Sequence, residues 1–483
     1  MLDQVCLHQR VEITSMSRHI LRAISIVLLL LSAGDIRAKP AASPADATSA
    51  LHDYIVRPDD SFAWTVRQRG KLGSGTYAEL ILTSQTWHDI VWKHQLFIYH
   101  PKKVKDGSQM MLLIDGGSWK DSLADKPDDV RPEELPERAQ IFATLADIVQ
   151  TPVAILRQVP EQPLFDGRKE DQIIAYTFSK YIETGDSDWP LLLPMVKSSV
   201  RAMDAIQAFA KQEWQTDVKH FTVTGASKRG WTTWLTAAMD PRVNALAPMV
   251  INMLNMTAHD KLQLESFGTY SEQIRDYTDR GLQQALASKQ GDSLRKIVDP
   301  YAYRKQLLQP KLIILGTNDA YWPVDSLNLY WNDLLGEKYI LYVPNNGHGI
   351  TDFPRVVASV AALQQSVTGG KALPKLTWKL DEQGDKAALA LTSDVAPLLV
   401  RQWKAVSTSR DFRTAEWTST PVHVKEGDGH SFQADLEKPT TGFKAMFLEA
   451  EFPGSPLPFN LSTTLHVFGS NSAPKSGDTS DQH

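Results

Sequence analysis

The 483-residue chain has a single cysteine, Cys6, so no intrachain disulfide can form and its cores must hold by packing alone. Charge of one sign is also scarce: 51 Lys and Arg stand against 56 Asp and Glu, a net charge of −5. With no basic tail, this balance gives no footing for nucleic acid or an anionic membrane surface. No His-Glu-x-x-His or cysteine cluster argues for a metal, and neither a phosphate-binding loop nor a dinucleotide fingerprint is present, so no cofactor is expected. No tandem repeat is visible. The only long apolar run is Ala23–Leu31, preceded by Arg18 and Arg22 and followed by Ser32, Ala33 and Gly34. It is short for a spanning helix and reads as a secretory signal over residues 1–38, with cleavage near Ala38 and Met16 as an alternative start. Export to a periplasm or the medium is therefore expected, without stable membrane insertion after cleavage. An exported chain with no disulfide suits a bacterial periplasm.

What is present is an apolar fraction of 42% and a charged fraction of 22%, as in a globular protein long enough for more than one domain. Residues 39–50, rich in Pro, Ala, Ser and Asp, read as a disordered linker. Tyr77–Thr83 and Ile90–Tyr99 suggest paired strands. From there apolar runs alternate with helical stripes. Strands are expected at Met110–Ile114, Pro152–Leu156, from Phe221, at Val243–Ile251, Lys311–Leu315 and Tyr339–Val343; helices at Ala139–Val149, Pro194–Ala210, Thr232–Met239 and Val324–Leu335. All-apolar strands alternating with helices predict a parallel sheet covered on both faces. Residues 252–300 read as a helical cap inserted into an α/β-hydrolase-like domain spanning 51–370. After Gly369-Gly370 the pattern changes to short runs split by polar turns, which predicts an all-β sandwich over 371–468 and a disordered tail at 469–483.

The chemistry gathers at the expected C-terminal ends of the parallel strands. Gly225-Ala-Ser227-Lys228-Arg229-Gly230-Trp231 follows a β-branched run and precedes a helix. A serine on such a corner can be pushed out as a nucleophile, because small neighbours let strand and helix approach. Ordinary strand-to-helix turns give the same Gly-x-Ser-x-x-Gly, so the motif gains weight from its company. Gly316-Thr-Asn-Asp319-Ala-Tyr-Trp322 and Asn346-Gly-His348-Gly349 each follow a strand, giving the order Ser, Asp, His found in α/β-hydrolases. Ser227 is the expected nucleophile, His348 the base and Asp319 the group that orients it, with Asp325 and Asp115 as rival acids. The amide of Lys228 and one from Gly116-Gly117 are the expected oxyanion donors. Trp119, Arg229, Trp231 and Trp322 are candidate substrate contacts, although core packing accounts better for the tryptophans and surface charge is the alternative for Arg229.

The string Gly-Ala-Ser-Lys-Arg-Gly-Trp-Thr-Thr-Trp at 225–234, with the two downstream motifs, resembles the PhoPQ-activated pathogenicity-related protein family, over nearly all of the chain beyond Leu51. The resemblance implies an exported α/β-hydrolase-like protein linked to bacterial virulence and to resistance against membrane-active peptides, with a eukaryotic branch of secreted proliferation repressors. It implies no substrate. The elbow is also similar to that of glucuronoyl esterases, with Ala226 where they carry cysteine and Lys228 where they carry arginine; that parallel favours ester chemistry without fixing a sugar acid. Two readings result: a serine hydrolase cutting an ester or amide of a small-molecule, glycan or peptide substrate, or a secreted binding protein on a hydrolase scaffold.

Overall fold

The computed structural model describes residues 47–124, 139–424 and 429–470. The expected signal segment, most of the linker and the tail beyond residue 470 lie outside the described residues. The first described element is already a helix, α1 (Ala47–Val56), so the expected linker is folded at its last four residues. Leu51, Tyr54 and Ile55, at helical spacing, supply the buried face that an Ala/Ser-rich composition conceals.

Strands β1 (Ala63–Leu72), β2 (Gly75–Trp87) and β3 (Ile90–His100) form an antiparallel meander. The β2–β3 hairpin closes on His88-Asp89, both at positive φ, and its strands extend past the expected runs. Next come β4 (Gln109–Ile114), α2 (Ala139–Val149), β5 (Val153–Leu156), α3 (Asp171–Thr184), α4 (Leu192–Glu213), β6 (His220–Ala226), α5 (Lys228–Met239) and β7 (Val243–Met249). Four short helices follow, α6 (Met256–Phe267), α7 (Arg275–Thr278), α8 (Leu282–Leu286) and α9 (Lys289–Val298), then β8 (Lys311–Gly316), β9 (Lys338–Val343) and α10 (Phe353–Val367). The nine strands order as β1-β2-β3-β5-β4-β6-β7-β8-β9, parallel from β5 onward and antiparallel before it. This is the α/β-hydrolase arrangement expected.

Strand β4 shows why its residues are all apolar. Met110, Leu112 and Ile114 enter one core with Met203, Ile206 and Trp234 of α4 and α5. Met111 and Leu113 enter the other with Ala143 and Ala146 of α2 and Val360 and Leu363 of α10.

The expected helix Val324–Leu335 is absent: the crossover from β8 to β9 holds only 3-10 turns at Ser326–Leu329 and Trp331–Asp333. Two tertiary anchors override helical propensity. Asp325, expected to cap that helix, is bound by the Arg410 guanidinium, and the Lys338 ammonium donates to the Trp331 and Leu334 carbonyls.

The C-terminal part is all-β, as expected. Strands β10 (Leu376–Gln383), β11 (Lys386–Ser393) and β14 (Ser431–Glu437) form one sheet. Strands β12 (Leu399–Ser407), β13 (Thr418–Pro421), β15 (Gly442–Phe452), β16 (Phe459–Ser462) and β17 (His466–Ser470) form the other. Strand β17 runs two residues into the expected tail. The sandwich has no core of its own: Leu389, Phe432 and Leu448 share a cluster with Leu341 and Val360, and Phe447 shares the other with Tyr342. The Tyr342 amide donates to Ser462 Oγ at 3.1 Å, so β16 shields part of the β9 edge. Among the described residues no helix is long and apolar enough to cross a membrane.

Candidate active site

The elbow forms because two glycines permit it. A Cβ on Gly225 would stand 2.7 Å from the Arg229 carbonyl oxygen, and one on Gly230 would stand 2.8 Å from Ile251 Cγ2 and 2.9 Å from the Met249 oxygen. Strand β6, helix α5 and strand β7 can therefore close on one another. Between the glycines Ser227 takes φ 58° and ψ −128°, strained for any residue with a side chain. Its amide donates to the Met249 carbonyl at 2.9 Å, which fixes the corner to the neighbouring strand. Lys228 is the first residue of α5, so its amide is one of the donors that the helix leaves unpaired at the positive end of its dipole.

Asp319 and His348 sit on the loops after β8 and β9. Those loops touch because Gly316 has no side chain: a Cβ there would lie 2.4 Å from the Asn346 oxygen, and the Asn318 amide donates to that same oxygen at 2.9 Å. Across this contact His348 Nδ1 lies 2.9 and 3.1 Å from the two carboxylate oxygens of Asp319. Asp319 also accepts the Tyr321 amide at 2.9 Å, and the Tyr321 ring lies over the imidazole at 4.1 Å between centroids. A carboxylate on Nδ1 puts the ring proton there and leaves Nε2 as an acceptor. Nε2 is buried and has no hydrogen-bond partner, so the Ser227–His348 hydrogen bond is not made. Ser227 and His348 nevertheless line one cavity of about 90 Å³. Of the rival acids, Asp325 is held by Arg410, and Asp115 faces Arg157 at 3.9 Å.

The cap reaches this cavity, with Met256, His259, Ile274, Tyr277 and Leu286 in its wall. Trp231 and Trp322 line it as well. Trp231 donates Nε1 to the Val298 carbonyl at 2.5 Å, anchoring the elbow helix to the cap. Trp119 lies outside the cavity, beneath Lys93 and bonded to Asp121. Gly116 and Gly117 do not line it either: Gly116 packs on the Arg229 guanidinium and Gly117 beside Arg157 and Gln158.

The two cations after the serine are not free. Arg229 makes a bidentate pair with Glu170, 2.7 Å on each side, and donates Nε to the Val159 carbonyl at 2.6 Å. Lys228 Nζ lies 3.0 Å from both Glu170 and Asp171, and Asp171 accepts the Tyr277 hydroxyl at 3.0 Å. Elbow, α3 and cap are thus joined by one half-buried chain of charges. Burial would raise the Glu170 carboxyl, but Arg229 and Lys228 outweigh it and hold it at about 2. Arg229 is therefore a clamp, and it also lines a second cavity, of about 300 Å³, that Ser227 and His348 share. Sequence reasoning missed Glu170-Asp171 and Tyr321. The adjacent acids at 170–171 matched the adjacent cations at 228–229, but no local pattern joins stretches so far apart.

A structure of acetyl xylan esterase 1 from Thermoanaerobacterium aligns at 14% identity and a TM-score of 0.45, over 69% of this chain and 96% of that one. A glucuronoyl esterase from Solibacter usitatus aligns at 12% and 0.38, over 67% and 92%. In sequence the chain is 31% identical over 440 residues to autocrine proliferation repressor protein A of Dictyostelium discoideum, covering 84% of this chain and 86% of the relative. Residues 51–413 match the family model described as PhoPQ-activated pathogenicity-related protein. The chain belongs to the PhoPQ-activated pathogenicity-related protein family.

Proposed function

We propose that the protein is an exported serine hydrolase that cleaves an ester or amide. The observation carrying this reading is His348, oriented by Asp319 through Nδ1 and unpartnered at Nε2, on the wall of the cavity that also receives the elbow serine. In the reaction Ser227 Oγ attacks the carbonyl carbon while its proton passes to His348 Nε2. Asp319 stabilises the resulting imidazolium, and the Lys228 amide faces the developing oxyanion. When the tetrahedral intermediate collapses, His348 gives the proton to the departing oxygen or nitrogen. Water then repeats the sequence on the acyl-serine, and Ser227 recovers its proton. The apo spacing between serine and imidazole is to close when substrate fills the cavity. Strain at Ser227 keeps the hydroxyl on the outside of the corner, where an acyl group can reach it.

The test is covalent labelling by a fluorophosphonate. The folded protein is expected to be labelled, and Ser227→Ala and His348→Ala to lose the label; an unlabelled wild type would refute the reading. The second reading, a secreted binding protein with an idle triad, draws on the name of the Dictyostelium relative and on the unmade Ser227–His348 bond. It expects that unlabelled outcome. Export and a role in resistance to membrane-active peptides belong to the proposal too. Cell fractionation with N-terminal sequencing checks the first, with a mature start near Lys39 expected. Peptide killing of a deletion strain checks the second.

A further inference from the structure

The cavity over Ser227 holds polar groups that nothing in the fold satisfies. Asp260, on cap helix α6, lines it, and no hydrogen bond or ion pair from a described residue reaches its carboxylate. The next residue back, His259, is 3% exposed; its Nε2 donates to the Leu254 carbonyl at 3.0 Å, which leaves Nδ1 as a buried acceptor without a donor. Gln283 Oε1, from the far side of the cap, is a second buried acceptor with no partner. Trp322 Nε1 is the matching unused donor. Among the fully buried unpartnered atoms of the lining residues, acceptors, His348 Nε2 included, therefore outnumber the one donor, and each is costly to leave empty.

Charge points the same way. Lys228 is the cation in the lining, and Glu170 and Asp171 already neutralise it. One carboxylate, Asp260, remains on the wall without such a partner, since Asp171 is spent on Lys228 and the Tyr277 hydroxyl. A ligand carboxylate would meet like charge there, with no free cation among the described lining residues. Burial pushes the Asp260 carboxyl up, with Arg295 pulling the other way, as expected of an acid that lacks a close partner. Much of the wall is apolar, including Phe178, Trp231, Ile251 and Leu286, and aromatic faces attract a cation. At about 90 Å³ the space is below the roughly 150 Å³ that admits benzene, so its occupant is slim.

We propose that this cavity receives a short apolar stem ending in an ammonium group, which donates to Asp260. This rests on the hydrolase reading and names its substrate class: the group recognised beside the scissile bond is an amine, not a carboxylate. An ammonium brings three donors and a positive charge, which is what the lining lacks.

A binding experiment separates this inference from the catalytic one, because it needs no turnover. The full chain is titrated calorimetrically with n-butylammonium, 1-butanol and butyrate. Butylammonium is expected to bind at least roughly tenfold more tightly than either of the others. Asp260→Asn is expected to remove that preference and Asp260→Glu to restore part of it, with the unfolding temperature confirming that each variant is folded. Equal or tighter binding of butanol or butyrate, an unchanged preference in folded Asp260→Asn, or no measurable binding of any of the three would overturn the proposal. Fluorophosphonate labelling of Ser227 with failed ammonium binding would sink this inference alone; ammonium binding without labelling would sink the hydrolase.

Discussion

Ser227 and Glu170 share a backbone conformation, φ and ψ of 58° and −128° against 53° and −129°, and each opens a helix whose charges face the other. Strain of this kind costs on the order of 1–3 kcal/mol per residue and survives only where neighbours over-determine it. Here the ion pairs of Arg229 and Lys228 with Glu170 supply part of that constraint. Because the Glu170 carboxyl is held at about 2, below its ordinary 4.5, its contribution to stability is complete above about pH 4.5 and lost as pH falls through about 2. Glu170→Gln should therefore lower the melting temperature at neutral pH and converge on wild type near pH 2. Thermal unfolding across that range checks it, and a gap that persists unchanged at pH 2 would rule out the electrostatic origin. Glu170 is partly exposed, so solvent screening moderates the effect.

At the scale of elements, the segment between β12 and β13 ties the machinery together. Asn318, beside Asp319, donates to the Ala415 carbonyl at 2.7 Å, and Asn345, three residues before His348, pairs with Trp417 at 2.9 and 2.8 Å. Arg410 in the same segment binds Asp325 and Ser266 of the cap, and Arg413 lies 4.1 Å over Phe267. The C-terminal sheets thus hold the acid loop, the base loop and the cap in one geometry. Displacing catalytic groups by about 1 Å can cost on the order of a hundredfold in rate. Asn318→Ala and Asn345→Ala should each lower kcat by roughly ten- to a hundredfold with little change in KM, measured on any ester the wild type turns over. An unchanged kcat would show that the β8 and β9 loops hold their own shape.

For the whole molecule, the shared cores predict a single folding unit. A chain ending at Gly370 would keep Ser227, Asp319 and His348 but uncover Leu341, Tyr342 and Val360 and strip Asn318 and Asn345 of their partners. It should be insoluble or lack a cooperative melting transition, whereas the full chain should melt in one step by calorimetry. A soluble 51–370 fragment with its own sharp transition would contradict this.

The apolar β4, β6, β8 and β9 runs were legible because strands buried on both faces admit almost nothing else, and the three loops of Ser227, Asp319 and His348 were legible because their punctuating glycines stand next to those runs. The helices α3 and α10 escaped notice, since their polar faces blur the stripe that packing exposes. The crossover at Val324–Leu335 misled because intrinsic propensity yields to the Arg410 and Lys338 anchors. Local sequence therefore determined which residue types stand at the ends of which strands, through hydrophobic burial and steric room at glycine. Only the tertiary structure decided that Lys228 and Arg229 are spent on Glu170 and Asp171, that the sandwich braces the loops of Asp319 and His348, and that Asp260 stays without a partner, because ion pairing and solvent exclusion depend on segments brought together from across the chain.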